Sequence, residues 1–347
     1  MTGTNLGRRA AMASAAFAVG GLAASRPAAA ATTVVAAHYP NTWETAYRTI
    51  VAPALLRQHQ IELVVTPLLA FDQVARALAQ PRGRPPFDCF CLDPGPRQTA
   101  IERGLVQRID PAQLPNLPGI TPGFYDEWGV GVALQVVGLA YNPQRVDRPT
   151  GWRDLFDPKY HRRVALTGFG TTFGTVAMIE IAKAFGGSDT NMEPAFEQVR
   201  RLLPNVGAVA LNSAQLPALF QQGQVDLFYT NTNTVAMLKA QGVNIEFVEP
   251  DTKCPAFNTT LLIHTRSTVV AEAHRYINTS ISPEIQALLQ QPPAMFIPTN
   301  SRTPLLPEVA ALIGSSLSME RFIQHDWSVI NPQRAGWIER FNREVRT

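Results

Sequence analysis

Charge is scarce in this chain. Asp, Glu, Lys and Arg make up 16% of its 347 residues, and the net charge is only +3. No basic run follows the first few residues, and no aromatic stripe is interleaved with one, so a nucleic-acid partner is not expected. Cysteine is scarce too: Cys89, Cys91 and Cys254 are the three present, too few for a disulfide framework. Cys89 and Cys91 share one face of an extended stretch. Such a pair can take a metal, but no second pair or histidine cluster accompanies it, and both read as small buried strand residues. Whether Cys254 pairs with either depends on the fold. The six histidines have no metal-ligand spacing. A Gly-x-Ser-x-Gly elbow is absent, and Gly168-x-Gly170 lacks the lysine of a phosphate-binding loop. The expectation is therefore a protein that is not an enzyme and that needs neither metal nor cofactor. A transferase-like α/β enzyme is the minor alternative.

Long apolar runs are also missing. The first 31 residues read as an export leader. Arg8-Arg9 precede the Ala-rich segment Ala10 to Ala24, and Ala28 to Ala31 form a small-residue cleavage region. The arginine pair resembles a twin-arginine signal, with the general secretory route left open. No cysteine stands at the cleavage region to carry a lipid. No later stretch reaches the roughly 18 apolar residues needed to cross a bilayer. A soluble, exported mature protein beginning near Thr32 is expected, with no membrane insertion of its own.

What the sequence has in quantity is short elements. Pro at 28 and Gly at 23 punctuate an alternation of apolar strands and amphipathic helices. Strands are expected at Thr33 to Ala37, Ile61 to Val65 and Phe87 to Leu92, with helices between them. This is the pattern of a parallel α/β sheet, whose ligands sit at the carboxyl ends of the strands. Three loops therefore qualify: His38 to Trp43, with Tyr39, Asn41 and Trp43; Pro67 to Phe71; and Asp93 to Pro96. Val130 to Tyr141 and Ala256 to Thr265 read as long crossing strands.

The most informative stretch is Arg163 to Gly187. Val164, Ala165 and Leu166 form a strand, Thr167 to Thr172 a turn of glycines and hydroxyls, and Phe173 to Phe185 a helix that Gly186-Gly187 ends. Thr171 or Thr172 is expected to cap it. A helix start offers free N–H groups and the positive end of the dipole, an anion cradle. Taken alone, this stretch is better read as an ordinary βα turn of an α/β domain.

Several pieces, in order along most of the chain, resemble one family. They are Phe87-Asp88 entering a strand with Arg103-Gly104-Leu105-Val106-Gln107-Arg108-Ile109-Asp110 after it; Trp152-Arg153-Asp154-Leu155-Phe156-Asp157-Pro158-Lys159-Tyr160 followed by Arg163-Val164; Gly223-Gln224-Val225-Asp226-Leu227; and Ser282-Pro283-Glu284-Ile285-Gln286-Ala287. Together they resemble the periplasmic solute-binding proteins of ABC importers, in the group that takes polyamines, ferric iron, thiamine and phosphonates. The resemblance implies a two-lobed α/β periplasmic-binding-protein fold of type II. Each lobe would be a mostly parallel sheet flanked by helices, with the ligand cleft between. It implies lobes at about 32–133 with 260–300 and at about 134–259 with 301–347. It also implies hinge closure on a small-molecule solute, delivery to a membrane ABC permease, and a monomer in the periplasm.

The departures bear on the ligand. The matching cleft segments are Thr167 to Thr172, Asn231 to Asn233, and Phe257-Asn258-Thr259-Thr260. None carries the carboxylates that polyamine binders use, and Asn231 stands where an aromatic is expected. Tyr229 stands alone, so the paired tyrosines of ferric binders are absent. The expected binding residues are Tyr39, Asn41, Trp43, Asp93, Thr167, Thr171, Thr172, Asn231, Asn233, Phe257 and Thr259. Hydroxyls, amides and a helix start suit a carboxylate or phosphonate. Asp93, where the family tends to have serine, would accept an ammonium or else cap the helix after it. The expected solute is a small organic anion or zwitterion, its acidic group on Thr171, Thr172 and the N–H groups after them. A polyamine or other cation is the alternative.

Overall fold

The computed structural model describes residues 32–210, 215–314 and 317–345. The expected leader lies outside these residues. The chain opens with β1 (Thr32–His38), α1 (Thr42–Ala46), a π-helical turn at Tyr47–Val51, α2 (Ala52–His59), β2 (Ile61–Pro67), α3 (Ala70–Ala79), β3 (Cys89–Leu92), α4 (Pro94–Glu102) and β4 (Val106–Gln107). There follow β5 (Gly129–Tyr141), β6 (Ala165–Thr167), α5 (Thr172–Ala184), α6 (Glu193–Leu202), β7 (Ala208–Ala210), α7 (Leu216–Gln221), β8 (Leu227–Asn231), α8 (Thr232–Ala240) and β9 (Glu246–Val248). The last elements are β10 (Ala256–His264), α9 (Val270–Ser280), α10 (Pro283–Leu289), α11 (Pro307–Ile313) and α12 (Trp327–Glu344).

The main sheet runs β2-β1-β3-β10-β5-β8. β1 is parallel to β2 and β3, and β6 is parallel to β7, with a parallel bridge from Val164 to Leu227. Each lobe thus has a parallel core of three strands, and the two crossing strands, β5 and β10, lie antiparallel beside them. β5 is buried along all 13 residues and serves both lobes. Its first part pairs with β10 over Gly129 to Val136, and its last part pairs with β8 and β9 over Val137 to Tyr141. A strand buried on both faces reads as an unbroken apolar run, which is why its sequence resembles no amphipathic pattern.

The core divides in the same way. Val34, Tyr47, Val65, Leu134, Ile277, Val309, Ile313 and Phe322 share one hydrophobic cluster. Val137, Leu166, Ile179, Phe196, Tyr229 and Phe341 share another. Cys89 and Cys91 face the first cluster while Phe90 and Leu92 face a smaller one on the other side of β3. All three cysteines are buried free thiols.

Side-chain caps fix two helix starts. β8 runs to Asn231, and α8 starts at Thr232, because Asn231 Oδ1 accepts from the Thr234 N–H at 3.0 Å. The last helix begins at Trp327. Asp326 caps it, and Pro332 is tolerated inside at the loss of one backbone bond.

Candidate functional site

Three strand-end loops of the first lobe and two of the second face a cavity of about 180 Å³, room for roughly six waters at ~30 Å³ each. From the first lobe come Tyr39, Trp43, Phe71 and Asp93; from the second, Thr171, Thr172, Phe173 and Asn231; from the crossing strand β5, Gln135. Two larger depressions, of 720 and 780 Å³, lie elsewhere, one beside Thr121 and Met319 and one between α8 and α11. Neither gathers the carboxyl ends of strands from both lobes, so the smaller cavity is the candidate site.

Register builds its floor. Asn231 on β8 is paired with Val137 on β5, and Gln135 lies two residues along the same face. Gln135 is paired with Phe257 on β10, and Thr259 lies two residues along again. Leu92 at the end of β3 pairs with Thr260, which sets Asp93 beside Thr259. Because side chains alternate with period two, four polar groups line up on one face across four strands. Asn231 Nδ2 donates to Gln135 Oε1 at 2.7 Å, Gln135 Nε2 donates to Thr259 Oγ1 at 2.7 Å, and Thr259 Oγ1 donates to Asp93 Oδ1 at 3.0 Å. Every donor in this chain points toward the carboxylate. The chain starts in the second lobe, passes through both crossing strands and ends in the first.

Asp93 is 9% exposed. It stands at the N-cap position of α4, yet its side chain makes no cap hydrogen bond. Burial pushes its pKa above the usual carboxylate range, and hydrogen bonds from Tyr39, Thr259 and Thr172 pull the other way. Tyr39 Oη is buried with no well-aligned hydrogen-bond partner; burial first and the neighbouring Asp93 second push its pKa well up. Trp43 stacks on Phe296 with ring centroids 4.1 Å apart and meets Tyr39 edge-on at 5.5 Å. The carboxyl thus lies among π faces, a setting that favours a cation.

Across the cavity stands the start of α5. Thr171 is the cap: its Oγ1 accepts from Gly174 N–H at 3.2 Å. Thr172 follows at the first helical position. Its hydroxyl is buried and without an aligned partner, and it faces Asp93 closely enough to lower that group's pKa. Helix geometry leaves the Thr172 and Phe173 N–H groups without intrahelical acceptors. Gly174 is required here, since a Cβ would lie 2.2 Å from the Gly168 carbonyl oxygen. The loop before α5 rests on α12. Arg334 Nε donates to Thr175 Oγ1 at 3.1 Å, and its Nη2 donates to the Phe169 carbonyl oxygen.

Of the residues expected from sequence, Tyr39, Trp43, Asp93, Thr171, Thr172 and Asn231 line this cavity. Thr259 lies beneath it in the hydrogen-bond chain, fully buried. The other four are placed outside its wall. Asn41 is exposed, with φ 64°, and makes no cap bond. Thr167 is buried, its backbone bonded to Tyr229 Oη. Asn233 turns away to donate to the Met295 carbonyl at 2.9 Å. Phe257 packs in the second core cluster. Sequence reasoning missed Gln135 and Phe173. Gln135 had a signal: it is the lone amide in a buried strand that is otherwise almost wholly apolar. Among the described residues no group of three or more His, Cys, Asp or Glu could hold a metal ion, and no helix is long and apolar enough to cross a membrane.

The model of a family described as bacterial extracellular solute-binding protein matches residues 51–313, and the chain belongs to that family. A spermidine/putrescine-binding periplasmic protein of Salmonella typhimurium is 24% identical over 163 residues, 43% of this chain and 45% of that protein. The chain thus matches about half the length of this curated relative. A solved structure of a GABA receptor superposes with a TM-score of 0.75 at 16% identity, covering 90% of this chain and 98% of the other. A periplasmic binding protein of A. tumefaciens R10 in complex with agropinic acid gives 0.72 at 18%, covering 91% and 99%. At such identities these structures share the two-lobed fold.

Proposed function

We propose that this protein is the exported solute-binding component of an ABC importer and that its solute is a small zwitterion. In this reading the ammonium end lies on Asp93 among Tyr39, Trp43 and Phe71. The acidic end lies against the start of α5. The observation that carries the reading is the pairing of opposite signs in one small cavity. Asp93 receives the hydrogen-bond chain on one side, and the N–H groups at the start of α5, left without intrahelical acceptors, stand on the other. A second positive source lies behind that wall. Arg334 is 6% exposed and has no carboxylate partner among the described residues. A wholly anionic solute would have to sit against Asp93, and a diamine would bring an ammonium to a helix start.

The family description supports a protein working outside the cytoplasm, and the shared β5 supports a hinge between the lobes, whose closure would present the loaded form to a membrane permease. We place residues 301–314 and 317–322 with the first lobe, because Val309, Ile313 and Phe322 pack in its core. A four-carbon series tests the solute class by calorimetry: 4-aminobutyrate as zwitterion, putrescine as dication, succinate as dianion. The zwitterion is expected to bind at least tenfold more tightly than either, the loss of one charge-assisted hydrogen bond being worth roughly 1.5–3 kcal/mol. Tighter binding of putrescine would transfer the protein to the polyamine reading.

A further inference from the structure

We propose that Arg334 is a latch across the cleft, bonded into the β6–α5 loop on one side and stacked on Phe71 of α3 on the other, and that it holds the lobes together before any solute arrives. The inference rests on the reading that the cavity is a solute cleft between moving lobes. It is independent of the solute's charge.

The placement of α12 makes the latch possible. Ile330, Trp337 and Phe341 are buried in the second-lobe core, so the helix travels with that lobe. Its other stripe faces the first lobe. Asn331 Nδ2 donates to the Gly95 carbonyl of α4 at 2.8 Å, and Trp327 packs so tightly on Gly95 that a Cβ there would lie 2.6 Å from the ring. Arg334, one turn further along, is the residue that reaches the cavity wall. Its guanidinium carbon lies 3.7 Å from the Phe71 ring centroid, while Nε and Nη2 hold Thr175 and Phe169 of the second lobe. Phe71 belongs to α3 and lines the cavity from the first lobe. One planar group therefore touches both lobes with different surfaces, its face to one and its edge to the other. A guanidinium can do this and an ammonium cannot. Burial without a carboxylate is costly for a cation; the aromatic face and the carbonyl are the compensation, and both exist together when the lobes are closed. Opening strips Arg334 of Phe71 and returns it to water, so the latch is reversible.

The test is small-angle scattering of the solute-free protein, with wild type, Arg334→Met, Phe71→Leu, Phe71→Tyr and the Arg334→Met/Phe71→Leu double variant. Far-UV dichroism checks that each is folded. The radius of gyration is expected to rise in Arg334→Met and in Phe71→Leu, to rise no further in the double variant, and to stay at the wild-type value in Phe71→Tyr, which keeps the ring. Phe71 is only half-buried, so Phe71→Leu remains informative if Arg334→Met fails to fold. A radius unchanged by Phe71→Leu, or one that rises equally in Phe71→Tyr, overturns the latch. Neither result would alter the order of binding in the four-carbon series, so failure here is separate from failure of the zwitterion reading.

Discussion

Asp93 decides more than any other single residue. A carboxylate placed at a strand end with nothing to cap is normally solvated. This one is buried, held by Thr259 and flanked by Tyr39, and burial raises its pKa above the usual carboxylate range. The sign follows from the raised pKa. An acid whose folded pKa lies above its unfolded value favours protonation in the folded state, so its charge costs stability once the pH has risen through that pKa. Asp93→Asn should therefore weaken binding of an amine-bearing probe by more than tenfold, while the urea midpoint at pH 7 stays level or rises. Calorimetry and urea titration on the same preparation decide it. Unchanged affinity would remove Asp93 from the site. In the wild type, amine binding should fade as the pH falls through the raised pKa, above the ordinary value of about 3.9.

At the scale of elements, the contact between α4 and α12 sets how the second lobe sits on the first. Gly95 permits it. Its carbonyl takes the Asn331 bond, and its missing side chain admits the Trp327 ring. Gly95→Ala would force that ring aside, since a Cβ would stand 2.6 Å from Trp327 Cε3. Helix propensity alone would favour the alanine by up to about 1 kcal/mol, but overpacking of this kind costs about 1–3 kcal/mol. The expected outcome is a net loss of stability in urea, with Trp fluorescence shifted to the red. A gain in stability would mean that α12 does not pack on α4 in solution. The same scale explains α5. Its cap is Thr171, one of the two hydroxyls expected to cap it, and the hydroxyl beside it, on Thr172, faces Asp93.

Among the described residues, three histidines with buried side chains have their pKa values lowered. Burial lowers His38 to about 3, His264 to about 4 and His325 to about 4. His38, at the end of β1 next to Tyr39, packs against Tyr47 with ring centroids 3.7 Å apart and planes tilted by 31°, and its Nε2 lies 2.5 Å from Tyr276 Oη. His325 sits between Glu180 and Asp189 at 3.4 and 3.5 Å. A histidine with a depressed folded pKa stabilises the fold fully above its unfolded pKa near 6.5. That contribution is lost as the pH falls from there toward the folded value. Each such group gives up to about 1.4 kcal/mol per pH unit in that window, so three approach about 4 kcal/mol per unit. Urea midpoints are expected to hold between pH 8 and 7 and to fall steeply between pH 6 and 5. A flat profile down to pH 5 would contradict the burial of these rings.

The sequence by itself determined the alternation of strands and helices, the long crossing strands and the family. These rest on local periodicity and on motifs that need no partner to be recognised. It also placed the first-lobe loops, because a parallel sheet puts its ligand at strand ends whatever the residues are. Only the tertiary structure decided which side chains meet. Asn231, Gln135, Thr259 and Asp93 lie as far as 166 positions apart, and one face of a sheet joins them through its register. Asn233, read as a neighbour of that group, turns from the start of α8 to the Met295 carbonyl, and Phe257, on the same face as Gln135 and Thr259, packs into the second core cluster. Arg334 lies in a stretch whose local pattern points to nothing. It gains its place because α12 folds back between the lobes, and a buried cation must find its partners wherever the chain has brought them.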